Sequence, residues 1–167
     1  MAAAHASNLR RALLVAVLVL ALDQATKLLV VEVLDLRTRL VIPVADPFLN
    51  LTMAWNEGIN FGLFDFGAAG RWVLVALAVA IVIGLLFWVR GTRGWVPALG
   101  TGAIVGGALG NVIDRLRYGA VADFINMSCC GIANPFAFNV ADAAIFAGAA
   151  LLLLVGRSAP APARRRR

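Results

Sequence analysis

Residues 12–31 read ALLVAVLVLALDQATKLLVV. A helix of this length rises about 30 Å, the thickness of a bilayer's hydrocarbon core. Asp23, Gln24 and Lys27 interrupt an otherwise apolar run, all in its second half. Three more stretches have comparable length and character, at 72–89, 95–113 and 136–155. The chain is 62% hydrophobic and 14% charged, whereas a soluble domain carries about 25% charged residues. Lipid is the solvent that accounts for the difference. The expectation is a membrane all-α fold of four transmembrane helices, with residues 1–167 forming a single membrane domain.

The net charge of +6 is distributed with a clear bias. Arg10 and Arg11 precede the first span, Arg90 and Arg93 separate the second from the third, and Arg157 and Arg164–Arg167 follow the fourth. None of the nine acidic residues falls in these segments. Basic residues gather on the cytoplasmic side of membrane proteins, so both termini and the short loop between spans 2 and 3 are expected there. The basic tail, 156–167, then reads as a topology anchor on anionic lipid, and no nucleic-acid partner is expected. No small-x-small cleavage site follows the first run, which therefore reads as an uncleaved helix rather than a secretory signal.

Two outer segments remain, 32–71 and 116–135. In the first, Leu49, Leu51, Met53 and Trp55 alternate with Asn50, Thr52, Ala54 and Asn56, the period of a half-buried strand. Residues 40–44 read as a second strand, and Asn56-Glu57-Gly58 as a turn. Phe61, Leu63, Phe64 and Phe66 are expected at the membrane interface. A small sheet over the outer mouth of the bundle, between spans 1 and 2, is the expectation. The second segment reads as a flap or short helix able to move. Its Cys129 and Cys130 read either as two small buried loop residues or as a local redox or metal pair. In span 3, Gly102, Gly106 and Gly110 have the spacing that lets helices approach closely, and packing is their expected role.

Ionisable groups inside a span cost at least about 2.5 kcal/mol each, so each marks a candidate functional position. Asp23 and Lys27 fall in the outer half of span 1; Asn111, Asp114 and Arg115 end span 3; Asn139 and Asp142 open span 4. Each has a plainer reading. Asp23 and Lys27 neutralise each other across one helical turn, Asn139 and Asp142 cap a helix, and Asp114 pairs with Arg115. Convergence of so many amides and carboxylates at one depth favours a common site. The only histidine is His5, and no cluster has zinc spacing. Ser128 lacks a histidine partner, although a serine–lysine pairing with Lys27 stays open. Carboxylates are what remains, and two held together share one proton, as in aspartic proteases. A small ion- or proton-coupled carrier is the alternative; it would need a polar path inward, yet 81–88 and 95–104 carry no charge. A non-catalytic subunit packing through span 3 is a third reading.

The blocks Asn111-Val112-Ile113-Asp114-Arg115, Val121-Ala122-Asp123-Phe124-Ile125 and Phe138-Asn139-Val140-Ala141-Asp142 strongly resemble those of the bacterial lipoprotein signal peptidase (type II signal peptidase) family. Asp23-Gln24-x-x-Lys27 and Asn56-x-Gly58 with Phe61-Gly62 complete the likeness, in order, from about Leu20 to Ala144. The resemblance implies an intramembrane aspartyl endopeptidase of the bacterial inner membrane. It would cut diacylglyceryl-modified prolipoproteins just before the lipidated cysteine. Asp123 and Asp142 would be the catalytic pair, near the outer face. Asn111, Arg115 and Asn139 would line the site, Asn56 and Gly58 would contact substrate, Asp23 and Lys27 would support it, and Asp114 would hold Arg115. The outer sheet would act as a cradle. No metal or organic cofactor is implied; the partners are the substrate and membrane lipid, and a monomer is expected. Ile59 and Asn60 depart from the small residues usual in that block, and the cysteine pair matches no block.

Overall fold

A computed structural model of the chain describes residues 2–58, 69–130 and 134–157. Helix α1, Ala2–Lys27, runs on through a wider π-helical turn, Leu28–Val33, and the single turn α2, Leu36–Arg39, follows. Strands β1, Val41–Ala45, and β2, Leu49–Asn56, come next. Helices α3, Gly70–Arg90, and α4, Trp95–Tyr118, lead to strand β3, Val121–Met127, and helix α5, Val140–Arg157.

Among the described residues, three helices are long and apolar enough to cross a membrane: Asn8–Val33, Gly70–Arg90 and Trp95–Tyr118. The apolar part of α5, Val140–Leu154, is shorter. It begins later than the expected 136 because the preceding residues are otherwise engaged. Phe138 exchanges backbone hydrogen bonds with Ile125 at 2.8 and 3.1 Å, and Asn139 caps the helix. Conversely, α4 runs past 113 to Tyr118, where Gly119 takes a φ of +86° and its N–H closes the helix on the Arg115 carbonyl at 3.1 Å. Glycine is suited to that left-handed position.

Helix α4 is the centre of the bundle, packed on α1, α5 and α3. Its glycines make this possible. A Cβ on Gly106 would stand 2.5 Å from the Ala16 carbonyl oxygen of α1, and one on Gly107 would stand 2.5 Å from that of Ala141 in α5. The packing role expected of Gly106 is the observed one, and Gly107 shares it. Helix α3 is peripheral, burying only Val82 and Val89.

The sheet has three antiparallel strands in the order β1-β2-β3. Pro43 sits on the edge strand, where its missing N–H breaks no ladder, and the register shifts between Pro43 and Ala45. Strand β2 is half-buried from Leu49 to Trp55 rather than on alternate residues, and strands flank it on both sides. Val30, Leu36 and Phe124, with Ile42, Leu51, Met53 and Ile125, form the core under the sheet. Trp55 lies 5.3 Å from Tyr118, whose hydroxyl donates to Glu32 at 2.9 Å, joining β2 to the end of α4.

The expected flap or short helix is corrected over Val121–Met127. This segment is the third strand, and its first four residues are buried. Its backbone is satisfied by β2 on one side and by Phe138 on the other, so the sheet draws on both connecting segments. Phe61, Leu63, Phe64, Phe66, Ile59, Asn60 and the tail Arg164–Arg167 lie outside the described residues.

Candidate active site

Five elements meet at one place: the ends of α1 and α4, the start of α5, and the facing ends of β2 and β3. Asp123 lies in β3 and is 3% exposed. Its Oδ1 accepts the Asn139 side-chain amide at 2.7 Å, and its Oδ2 accepts that of Asn56 at 3.1 Å. Asp142 lies in the first turn of α5. Its Oδ1 accepts the Asn111 amide at 2.9 Å and its Oδ2 accepts the Asn139 backbone N–H at 3.3 Å. The Asp142 N–H returns a 2.9 Å bond to the Asn139 side-chain oxygen. The helix-capping reading of these two residues is therefore correct, and it coexists with a site: Asn139 caps α5 while holding Asp123.

Burial pushes the Asp123 carboxyl up to about 7, and the charge of neighbouring Asp142 adds to the rise. The Asn56 amide and, more weakly, Lys27 act in the opposite direction. The pair therefore has the property that acid–base chemistry on a carbonyl requires, one carboxyl protonated near neutral pH and hydrogen-bonded to a second.

Below this pair is a buried ionic cluster. Lys27 Nζ lies 2.8 Å from Asp23 Oδ2, 2.7 Å from Asp114 Oδ2 and 3.3 Å from Asn111 Oδ1, which uses all three ammonium donors. Asp23 Oδ1 accepts the Ala141 N–H at 3.0 Å, and Asp114 Oδ2 accepts the Ala122 N–H at 3.1 Å. Gln24 donates to both carboxylates. Asp23 and Lys27 are thus not a private pair within α1.

Asp114 and Arg115 make no direct ion pair, although the Asp114 charge still acts on the Arg115 guanidinium. Neighbouring residues of a helix face different sides, and Asp114 turns to Lys27, Gln24 and Ala122. Arg115 donates through Nη1 to the Asn111 carbonyl at 3.2 Å, while its Nε is buried without a hydrogen-bond partner. Gly58 has a φ of +111° and its N–H donates to the Asn56 side-chain oxygen at 3.0 Å, aiming the Asn56 amide at Asp123. Asp23, Lys27, Asn56, Gly58, Asn111, Asp114, Arg115, Asp123, Asn139 and Asp142 thus fall in one neighbourhood. Gln24, Phe138 and the amides of Ala122 and Ala141 were given no role by the sequence reading. Gln24 alone carried a signal, as a polar residue inside an apolar span.

A cavity of about 540 Å³ opens beside Asp142, lined by Phe138, Asp142, Ala143, Ile145 and Phe146. Its walls are apolar apart from the carboxylate. Cys129 and Cys130 stand apart from the site as exposed free thiols, which corrects the buried-loop reading. Among the described residues, no group of three or more histidine, cysteine or acidic side chains is arranged to hold a metal ion.

A family model described as Signal peptidase (SPase) II matches residues 15–156. The chain is 46% identical to a lipoprotein signal peptidase of Methylorubrum extorquens (strain PA1) over 87% of this chain and 84% of that one. It is 41% identical to a protein of the same name from Caulobacter vibrioides, covering 84% and 82% respectively. Among solved structures it resembles a bacterial membrane enzyme determined by the in meso method at 2.3 Å, with a TM-score of 0.73 and 25% identity over 93% of both chains. A second structure described as a bacterial membrane enzyme, at 1.9 Å, has a TM-score of 0.74 and 26% identity over 89% of this chain and 94% of that one.

Proposed function

The chain belongs to the signal peptidase II family, and from that membership we propose that it removes signal peptides from prolipoproteins by aspartyl catalysis at Asp123 and Asp142. The observation that carries the mechanism is the Asn139 bridge, one residue hydrogen-bonded to both carboxylates. Asp123, raised to about 7, holds the shared proton and gives it to the scissile carbonyl oxygen. Asp142 takes a proton from the attacking water. Asn56, Asn111 and Asn139 orient the pair, and Arg115, with its unpartnered Nε, lines the site for a substrate carbonyl.

The substrate is a prolipoprotein already carrying a diacylglyceryl group, and the bond broken lies just before the lipid-modified cysteine. Its acyl tails remain in the bilayer, which brings the bond to the pair by confinement rather than by tight polar binding. The apolar cavity beside Asp142 suits a substrate that arrives from lipid. In this reading the protein has four spans with both termini cytoplasmic, the pair lies near the outer face of the inner membrane, and a single copy suffices. No cofactor takes part. The ion-carrier alternative finds no support, since the matching family and relatives are peptidases by name.

The test is a gel-shift assay in detergent with a diacylglyceryl-modified prolipoprotein. Wild-type protein is expected to cut it, while Asp123→Asn and Asp142→Asn proteins, inserted normally, lose about 10³-fold or more of the rate. Cleavage by Asp123→Asn at a wild-type rate would remove that residue from the mechanism.

A further inference from the structure

Two backbone contacts in the site share a feature. The Ala122 N–H is held by Asp114 and the Ala141 N–H by Asp23, and each alanine immediately precedes one member of the carboxylate pair. The two acceptors are themselves tied together. Lys27 links them through Nζ at 2.7 and 2.8 Å, and Gln24 Nε2 links them a second time, at 3.1 Å to Asp23 Oδ2 and 3.1 Å to Asp114 Oδ1. Gln24 also reaches the Gly110 carbonyl at 3.4 Å. Gly110 leaves the room this requires, since a Cβ there would collide with Asp23 Oδ2.

We propose that Gln24 is a positioning residue of the peptidase site: with Lys27 it locks Asp23 to Asp114, and through the Ala141 and Ala122 amides it sets the separation of Asp142 from Asp123. The proposal rests on the reading of that pair as the catalytic centre. Its physical basis is the number of links. An ammonium is a compact charge with no preferred plane, so one lysine between two carboxylates leaves them free to pivot about it. A planar amide donating to both adds a second link and removes that freedom. Asp23, Lys27 and Asp114 are at most 3% exposed, so water does not stand in for a lost link. Proton sharing needs the pair within hydrogen-bond reach, and a displacement of about 1 Å at a reacting group can cost on the order of 100-fold in rate.

The charged groups acting on Asp123 are Asp142 from α5, Lys27 from α1 and Arg115 from α4. Of their distances, Gln24 sets the one to Asp142. When the pair moves apart, Asp123 loses the repulsion that helps hold its proton, and the alkaline limb of the activity profile moves to lower pH.

Wild-type, Gln24→Met, Gln24→Asn and Asp123→Asn proteins are compared by steady-state prolipoprotein cleavage across pH and by backbone hydrogen–deuterium exchange. Gln24→Met keeps the volume and removes the donors. It is expected to lower kcat by on the order of 10- to 100-fold with KM within about twofold. Its alkaline limb moves to lower pH, and the amides of Ala122 and Ala141 exchange faster together. Gln24→Asn, one methylene shorter, reaches a single carboxylate and falls between. Wild-type kcat with unchanged exchange at both amides overturns the proposal, as does lost kcat with an unshifted profile, the mark of a merely structural role. If Gln24→Met does not fold, Gln24→Asn is judged by the same criteria. Failure of the wild type to cleave would count against the peptidase reading, and wild-type cleavage by Asp123→Asn against the catalytic pair, while the two exchange rates would still decide whether Gln24 ties the elements.

Discussion

The Asp123 carboxyl, raised to about 7, carries two separate pH signatures. In activity, the shared proton is present below about pH 7 and lost above it, so kcat is expected to fall about tenfold per pH unit on the alkaline side, read from a pH–rate profile. In stability, the folded protein keeps this proton up to about 7, while the unfolded chain releases it near about 4. The contribution is therefore full below about pH 4 and lost as pH rises through about 7. An Asp123→Asn protein should be more stable than wild type in alkaline buffer, by a few kcal/mol at most, with the gap closing toward acid. Thermal unfolding in detergent at two pH values checks it. Lys27 offers a third case. Lys27→Met leaves the buried carboxylates of Asp23 and Asp114 facing each other without a cation, and a loss of about 3–5 kcal/mol is expected. A wild-type melting temperature for that protein would show the cluster to be energetically idle.

Between elements, the bundle depends on how closely α4 is approached. Gly107 touches the α5 backbone at Ala141, one residue before Asp142, so Gly107→Ala must push α5 and its aspartate away. Both stability and cleavage rate should drop, the former by about 1–3 kcal/mol, read from thermal unfolding. Gly84 of α3 has nothing within 4 Å of an added Cβ. There Gly84→Ala should leave cleavage unchanged and stabilise by up to about 1 kcal/mol through helix propensity. Equal effects at the two positions would remove the packing argument. The close-packing glycines Gly102 and Gly106 were readable from their spacing, and β2 from its alternation. Strand β3 was not. Its first four residues are all buried and show no alternation, and its pairing with β2 is remote in the chain, as the 67-residue separation of Asn56 from Asp123 shows. A local pattern carries no sign of such a partner.

Across the whole molecule, orientation is the property that the native thiols can report. Cys129 and Cys130 are exposed and follow β3. If both termini are cytoplasmic, as proposed, a membrane-impermeant maleimide added to intact spheroplasts should label them, and a cysteine introduced in the 91–94 loop should react only after lysis. The reverse pattern would invert the topology. Much of this scale was already present in the order of residues. Apolar run length marked the three helices that are long enough to cross a membrane. The polar residues Asp23, Lys27, Asn111, Asp114, Arg115, Asn139 and Asp142 were marked by the cost of their surroundings. All of these are sums over neighbouring residues, so the chain by itself determined them, together with the family its blocks belong to. The tertiary structure alone decided that α5 starts at Val140, that the second connection contributes a strand, and that Asp114 turns to Lys27 and Ala122 rather than to Arg115. Each of those outcomes depends on which distant backbone or side chain arrives within hydrogen-bond distance, and that is settled by the packing of α1, α5 and β3 around α4, not by any stretch of sequence read alone.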